Sequence, residues 1–443
     1  MGGMHMMEET SNKVQNGRWL FLISSLFAVY LLEFLDGMII SYAAVGGMNE
    51  DFGLTASLTG LVIGIFSIGR MFLQIKAGGW ASKGMARKIG AFLVLGNSIF
   101  LFMQGFADNG TQLLIYRFIQ GIFQGGLYPM IIVIIGNWFP DKERSKAYTI
   151  FGACTATSQI IIGPLMGLIL STMNWRAAFI IFGIASLTTV ILWLLYVTDF
   201  PQDAKWLKKE EKEYLLSELQ REKELLSESA IITANANKLD KKPFMRIISN
   251  KYVWVLCGMN FCASIGVMGF GAWMPKLIAD ITGAGIGNVG LLATIPNIFV
   301  LFGLFMFSKL AGKSPNRRLL VGIPMLFFGS FLIIGHFASG VWANFILICI
   351  AAFFLQGYLA TLWTIPPMIF AKDISGSVQG FIVMAGTFGF FVGPYLVGII
   401  MDIMGNSSLG MVAVGICLII GFVISRLLPI ETTKPINNKE LAA

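Results

Sequence analysis

Apolar residues run through this chain in long blocks, broken by short polar punctuation. Twelve blocks occupy about residues 19–47, 56–80, 88–107, 112–137, 147–171, 177–197, 252–279, 286–308, 319–338, 342–371, 376–402 and 409–428. Each is long enough to cross about 30 Å of hydrocarbon as an α-helix. A barrel is excluded, because barrel strands alternate over roughly ten residues and these blocks do not. The pattern predicts an all-α polytopic membrane protein with twelve transmembrane helices.

The punctuation sets the topology. One set of loops carries Lys83, Arg87 and Lys88, then Lys142, Arg144 and Lys146, then Lys309, Lys313, Arg317 and Arg318, then Lys372. The opposite loops carry Glu50 and Asp51, Asp108, Asp280 and Asp402. Basic loops stay on the cytoplasmic side, so both termini and the long loop 198–251 are expected there. That loop divides the spans six and six: a tail 1–18, a bundle 19–197, a linker 198–251, a bundle 252–428 and a tail 429–443. The linker opens with "DAKWLKKEEKEYLLSELQREKELLSE", a charged and partly amphipathic helical pattern. It reads either as a regulatory or lipid-contacting helix or as a solvated connector, and the connector is the preferred reading.

Composition agrees with the membrane reading. The 443 residues are 56% hydrophobic and 13% charged, against roughly 25% charged for soluble domains. The net charge of +8 does not point to nucleic acid, because the basic residues sit in the loops between spans. Cys154, Cys257, Cys262, Cys349 and Cys417 lie inside apolar blocks without metal-ligand spacing, which argues against disulfides or a zinc site. The first block is too long for a cleaved leader and lacks a small-residue cleavage pattern.

The two halves echo each other. "SKGMARK" (82–88) follows the second span and "SKLAGKSPNRR" (308–318) the eighth; "QGGLYPMI" precedes "GPLMG" as "QGYLATLWTIPPMI" precedes "GPYLVG". Parallel six-span repeats are built around a site between the halves at the membrane midplane. At these residues the chain resembles the major facilitator superfamily, and within it the anion:cation symporter family of organic-anion and sugar-acid transporters. "GGWASKGMARK" is similar to the superfamily's loop after span two, with Ser82 where Asp is usual and Met85 where Gly is usual. "YRFIQGIFQGGLYPMIIVIIGNWFPDKERSKAY" (116–148), "NWRAAF", "FPQDAKWLKKEE", "FGAWMPKLI", "LLATIPNI" and "GPYLVG" resemble the narrower family in the right order. The resemblance implies the major facilitator fold and proton- or sodium-coupled movement of a small carboxylate-bearing solute.

Charges inside the bilayer are costly and usually face a cavity. Arg70, Lys76, Arg117, Arg176 and Lys276 are the basic residues off the cytoplasmic side. Arg117, Gln120, Gln124 and Tyr128 fall on one helical stripe of span four, as a pathway wall would. A guanidinium fork suits a carboxylate, and the resemblance makes Arg117 the substrate-binding arginine. Arg70 lies mid-span, where snorkelling to water is hardest, so it is expected to face the cavity; the family usually has Tyr there. Lys76 is read as reaching the interface.

Glu33 and Asp36, at i and i+3 on span one, are the acids within the spans. They read as counter-ions to Arg70 and Arg117 or as proton carriers, and Asp36 matches an Asp of the family. The family commonly has Arg at the place of Gly37 and a coupling Glu at the place of Gln124. Either Arg70 and Glu33 replace those groups, or coupling is changed and the chain is an exchanger or uniporter.

In the C-terminal half the polar candidates are Asn260 and Ser264, Asn297, Gln356, Tyr358 and Thr361, and Thr387, with Trp363 as an apolar wall. Pro296, Pro366, Pro367 and Pro394 are expected to bend helices, and Gly121 and Gly125 to let helices pack closely. No GxxxxGK[ST] loop supplies ATP binding. His5 and His336 belong to no nucleophile constellation, so an enzyme is not expected.

The expectation is an alternating-access carrier in the inner membrane, a monomer without cofactor, whose partners are a small anionic solute, a coupling proton or sodium ion and the lipid bilayer. The alternatives are a proton-driven exporter of a metabolite, drug or siderophore, and a non-transporting sensor that signals through the 198–251 loop.

Overall fold

The computed structural model describes residues 17–234, 249–313, 316–370 and 372–428, and these contain helices and turns without a strand. The tails 1–16 and 429–443 and linker residues 235–248 lie outside the described residues. The first six spans are Arg18–Phe52, Ala56–Ser82, Ala86–Gln104, Gly110–Trp138, Asp141–Thr172 and Trp175–Tyr196. Spans seven to nine are Lys251–Thr282, Ile286–Lys313 and Arg317–Phe337. Spans eleven and twelve are Lys372–Met404 and Ser407–Ser425.

Among the described residues eleven helices are long and apolar enough to cross a membrane. The tenth expected span is broken into Val341–Phe354, Leu359–Leu362 and Pro366–Ile369. Pro366 and Pro367 donate no backbone hydrogen bond, and a residue before proline avoids helical geometry. The backbone around the breaks tightens to i→i−3 bonds, as in Leu359 N–H to Gln356 O and Ile365 N–H to Leu362 O, both 3.1 Å. Irregular backbone at membrane depth is tolerated where it is buried or lines a cavity, and these turns carry Gln356, Tyr358 and Trp363. Pro296 and Pro394 lie inside continuous helices.

The halves meet at the end opposite the termini. Span two crosses span eleven so closely that a Cβ on Gly60 would overlap the Pro394 carbonyl, and one on Gly398 the Ala56 carbonyl. Spans five and eight make a matching seam, Gly163 against Gly290 and Gly167 against Gly287. Small residues let backbones approach in this way. Asp402 caps span two across the seam, accepting from the N–H groups of Ala56 (2.8 Å) and Ser57 (2.9 Å). Asn297 of span eight donates to the Gln159 carbonyl of span five at 2.7 Å.

Towards the termini both seams part. A Cβ on Gly152 or Gly380, further along the two seams, would touch nothing.

The linker corrects the preferred reading of a solvated connector. Its helix, Lys209–Ala234, docks its first turns on the N-terminal half. Buried Glu211 accepts from Arg18 Nη1 (2.7 Å) and from the backbone N–H of Gly17 and Arg18, while Arg18 also pairs with Glu143 at 2.8 Å. Glu222 pairs with Arg144 at 3.0 Å and caps Asp141 at the start of span five. Leu215 is buried, and Trp206 stacks on Trp138 with centroids 5.3 Å apart. The pattern shows an amphipathic helix; it does not show that the receiving surface offers paired bases and an indole.

Candidate functional site

The site begins with two glycines. A Cβ on Gly121 would overlap the Phe66 carbonyl, and one on Gly125 the Arg70 carbonyl. Span two therefore lies directly in the groove of span four, as the packing reading of this glycine pair expects. Arg70 is thereby placed beside the stripe of Arg117, Gln120, Gln124 and Tyr128.

The structure sorts these residues into two tiers. The inner tier is sealed in the N-terminal bundle. Arg117 is 0% exposed. Its guanidinium donates to the carbonyl oxygens of Gly37 (2.6 Å) and Asp36 (3.4 Å) and to Gln120 Oε1 (3.0 Å), and its carbon lies 4.4 Å from the Phe66 ring centre. Gln120 also accepts from Gln104 Nε2 at 2.8 Å. Asp36 Oδ2 accepts from Asn97 Nδ2 (3.0 Å) and Ser186 Oγ (2.8 Å). Asp36 thus points toward spans three and six, while its backbone holds Arg117. Arg117 is tethered within its own half instead of standing open to a solute.

The outer tier borders the parted region. Arg70 is half-buried, and among the described residues its guanidinium has no hydrogen-bond or ion-pair partner. It lies 6.0 Å from the Phe66 ring centre and within electrostatic reach of Glu33 and Tyr30. Glu33 is fully buried, and neither carboxyl oxygen has a hydrogen-bond partner among the described residues. The polar groups around it are Asp36, Gln124, Arg70 and Asn97. Gln124 donates to the Glu33 backbone carbonyl at 2.5 Å. Tyr128 is 46% exposed and packs on Tyr30 of span one (5.7 Å) and Phe151 of span five (6.0 Å), which lie 5.1 Å from each other. Its stripe-mates are buried in the bundle, so this exposure faces inward to the parted region and not to lipid.

The C-terminal candidates are mostly committed elsewhere. Asn260 donates to the Ile382 carbonyl at 2.8 Å, and Thr387 to Val383 at 2.9 Å. Thr361 is buried, and Tyr358 is buried beside Ser264. Gln356 and Trp363 are half-buried, and the Gln356 amide has no hydrogen-bond partner among the described residues.

Arg70 with Glu33, and Arg117 with Asp36, are therefore brought together in the N-terminal half, while Asn260 points into its own bundle. Lys76 is exposed. Arg176 clamps the Ala107 carbonyl at 2.6 Å, and Lys276 pairs with Asp280 at 2.6 Å, so both serve the closed end. Reading the sequence missed Asn97, Ser186, Tyr30 and Phe151. Asn97 carried a signal, an amide inside an apolar block; the others carried none.

A family model described as Major Facilitator Superfamily matches residues 26–276 and 256–443. The chain is 25% identical over 443 residues to a putative tartrate transporter of Agrobacterium vitis, covering 99% of each. It is 26% identical over 401 residues to a hexuronate transporter of Bacillus subtilis, covering 87% of this chain and 89% of that protein. The solved structure of a bacterial homologue of the human lysosomal transporter Spinster, inward-facing and occupied, superposes with a TM-score of 0.72 at 18% identity, over 93% of this chain and 97% of that one. That last likeness is one of fold.

Proposed function

The chain belongs to the Major Facilitator Superfamily, a transporter and not an enzyme, and from that premise we propose that it carries a small carboxylate-bearing organic anion across the inner membrane by alternating access with proton coupling. The relatives named for tartrate and hexuronate support an organic acid as cargo. The observation that carries the reading is Arg70: a half-buried guanidinium with no partner among the described residues, at mid-span, on the side where the halves part. An unpaired cation there is costly unless an anion joins it, and a carboxylate can take two of its N–H groups at once.

Arg117 acts behind it. Its bonds to Asp36 and Gly37 hold span one against span four, and this fixes Glu33 near Arg70. When a solute carboxylate engages Arg70, the charge that balances Glu33 is taken up, and a proton becomes the replacement. Anion and proton then travel together. The state with one end sealed and the other parted is one of the two that alternating access needs, with the parted end cytoplasmic by the distribution of basic loops.

One observation favours a second reading, uncoupled exchange: Gln124 cannot carry a proton and is bonded to the Glu33 backbone. The deciding experiment uses proteoliposomes with the purified protein and a panel of radiolabelled carboxylates. Proton symport predicts uphill accumulation when the outside is acidified, abolished by a protonophore. Counterflow without accumulation would establish the exchanger, and neither flux with any carboxylate would overturn the anion-carrier reading.

A further inference from the structure

We infer that the solute is a monocarboxylate with an aromatic or otherwise apolar body, and not a polyhydroxylated sugar acid or a dicarboxylate. The inference rests on the anion-carrier reading, and deepens it by asking what surrounds the anion once Arg70 holds its charge.

The number of free guanidinium groups limits the cargo first. Arg117 is spent on two backbone carbonyls and Gln120 and is wholly buried. Of this pair only Arg70 is left without a partner among the described residues, so the site offers one fork for one carboxylate.

The wall beside that fork is aromatic. Tyr30, Tyr128 and Phe151 form a mutually packed trio with centroids 5.1–6.0 Å apart, and Tyr128 presents nearly half its surface to the parted region. Arg70 lies within electrostatic reach of Tyr30. The facing wall continues the theme. Across the seam Phe391, which meets Gly64, stacks 6.1 Å from Phe388. Such rings hold an apolar or aromatic body by offset and edge-on packing.

The supply of hydrogen bonds decides against a sugar acid. Each hydroxyl taken from water needs a partner in the site. Four of the amides and hydroxyls at this depth are engaged with the protein itself: Gln124 with Glu33, Asn260 with Ile382, Thr387 with Val383 and Asn297 with Gln159. The Gln356 amide, the buried and unpaired Thr361 hydroxyl and the tyrosine hydroxyls remain, enough for a few polar substituents but not for the full hydroxyl set of an aldonic or uronic acid.

The test is equilibrium binding to the full-length protein in detergent, with benzoate, 4-hydroxybenzoate, gluconate, glucuronate and acetate as probes. The expected result is that benzoate or 4-hydroxybenzoate binds at least tenfold tighter than gluconate and glucuronate. Tyr128→Ala should lower benzoate affinity at least tenfold and leave acetate affinity unchanged, and Tyr128→Phe should keep benzoate binding. Tighter binding of gluconate or glucuronate would overturn the inference and leave the anion-carrier reading standing. Binding of none of the five, with no carboxylate flux, would overturn both.

Discussion

Arg117 donates its shortest hydrogen bond, 2.6 Å, to the backbone carbonyl of Gly37 and not to a carboxylate. A charged side chain holds a neighbouring helix by its main chain, deep in the bundle, so its first role is to fasten span four to span one. Arg117→Ala would leave those carbonyls unmatched and the Asp36 carboxylate without its nearby cation. Removing one partner of a buried ionic arrangement costs about 3–5 kcal/mol. The variant is therefore expected to unfold at a clearly lower temperature even without solute, as well as to lose transport. Thermal unfolding in detergent checks this, and a wild-type unfolding temperature would contradict it.

Glu33 and Asp36 should separate from the arginines in kinetic assays. Glu33→Gln removes the one carboxyl in the network without a hydrogen bond. Asp36→Asn can keep the bonds from Asn97 and Ser186 through its amide oxygen, and removes the charge beside Arg117. Both variants are expected to lose uphill accumulation and keep solute–solute exchange. Paired accumulation and counterflow measurements in proteoliposomes check the split.

Asp402 bonds span two only while the sealed end is closed, because the carboxylate and the two N–H groups belong to different halves. Losing a helix cap costs about 0.5–2 kcal/mol, so Asp402→Ala should shift the equilibrium toward the state open at that end by roughly 2- to 30-fold. A cysteine at Ser41 or Ala272 lines a cavity of about 80 Å³ between the halves at that end. Its labelling by a membrane-impermeant maleimide should accelerate accordingly. An unchanged rate would show that the glycine seams alone keep the end shut.

The docked linker makes its own prediction. Glu211→Ala removes hydrogen bonds to a buried arginine and two N–H groups, worth about 1.5–3 kcal/mol for a charged partner. Limited proteolysis should then cut the linker faster, while Glu213→Ala, at an exposed position, should not change the rate. Equal rates for both variants would contradict the docking.

Much of this was legible in the chain and some was not, for reasons particular residues make plain. Apolar block length marks a span without needing to know its neighbours, so the helices and the division into halves could be read directly. Helical spacing placed Arg117, Gln120, Gln124 and Tyr128 on one face, but spacing cannot say what the face meets. Whether Arg117 opens to solute or is held by Gly37 depends on how span one crosses span four. Asp36 was visible as a buried acid, whereas its partners Asn97 and Ser186 come from helices that periodicity cannot orient. The break in span ten was announced by Pro366 and Pro367 only at its far end; the turn at Gln356–Tyr358 is set by packing, where Gly357 leaves room for the Phe307 ring.

The proposed role of Arg70 as the group that receives the carboxylate is decided by equilibrium binding of the tightest carboxylate to wild-type protein and to Arg70→Gln. Among the described residues Arg70 makes no hydrogen bond, so the variant should unfold at the wild-type temperature without solute. Its affinity should fall by roughly 10- to 100-fold or more, the loss of a charge-assisted pair. An Arg70→Gln protein that binds the same carboxylate as tightly as wild type would place the anion site away from Arg70.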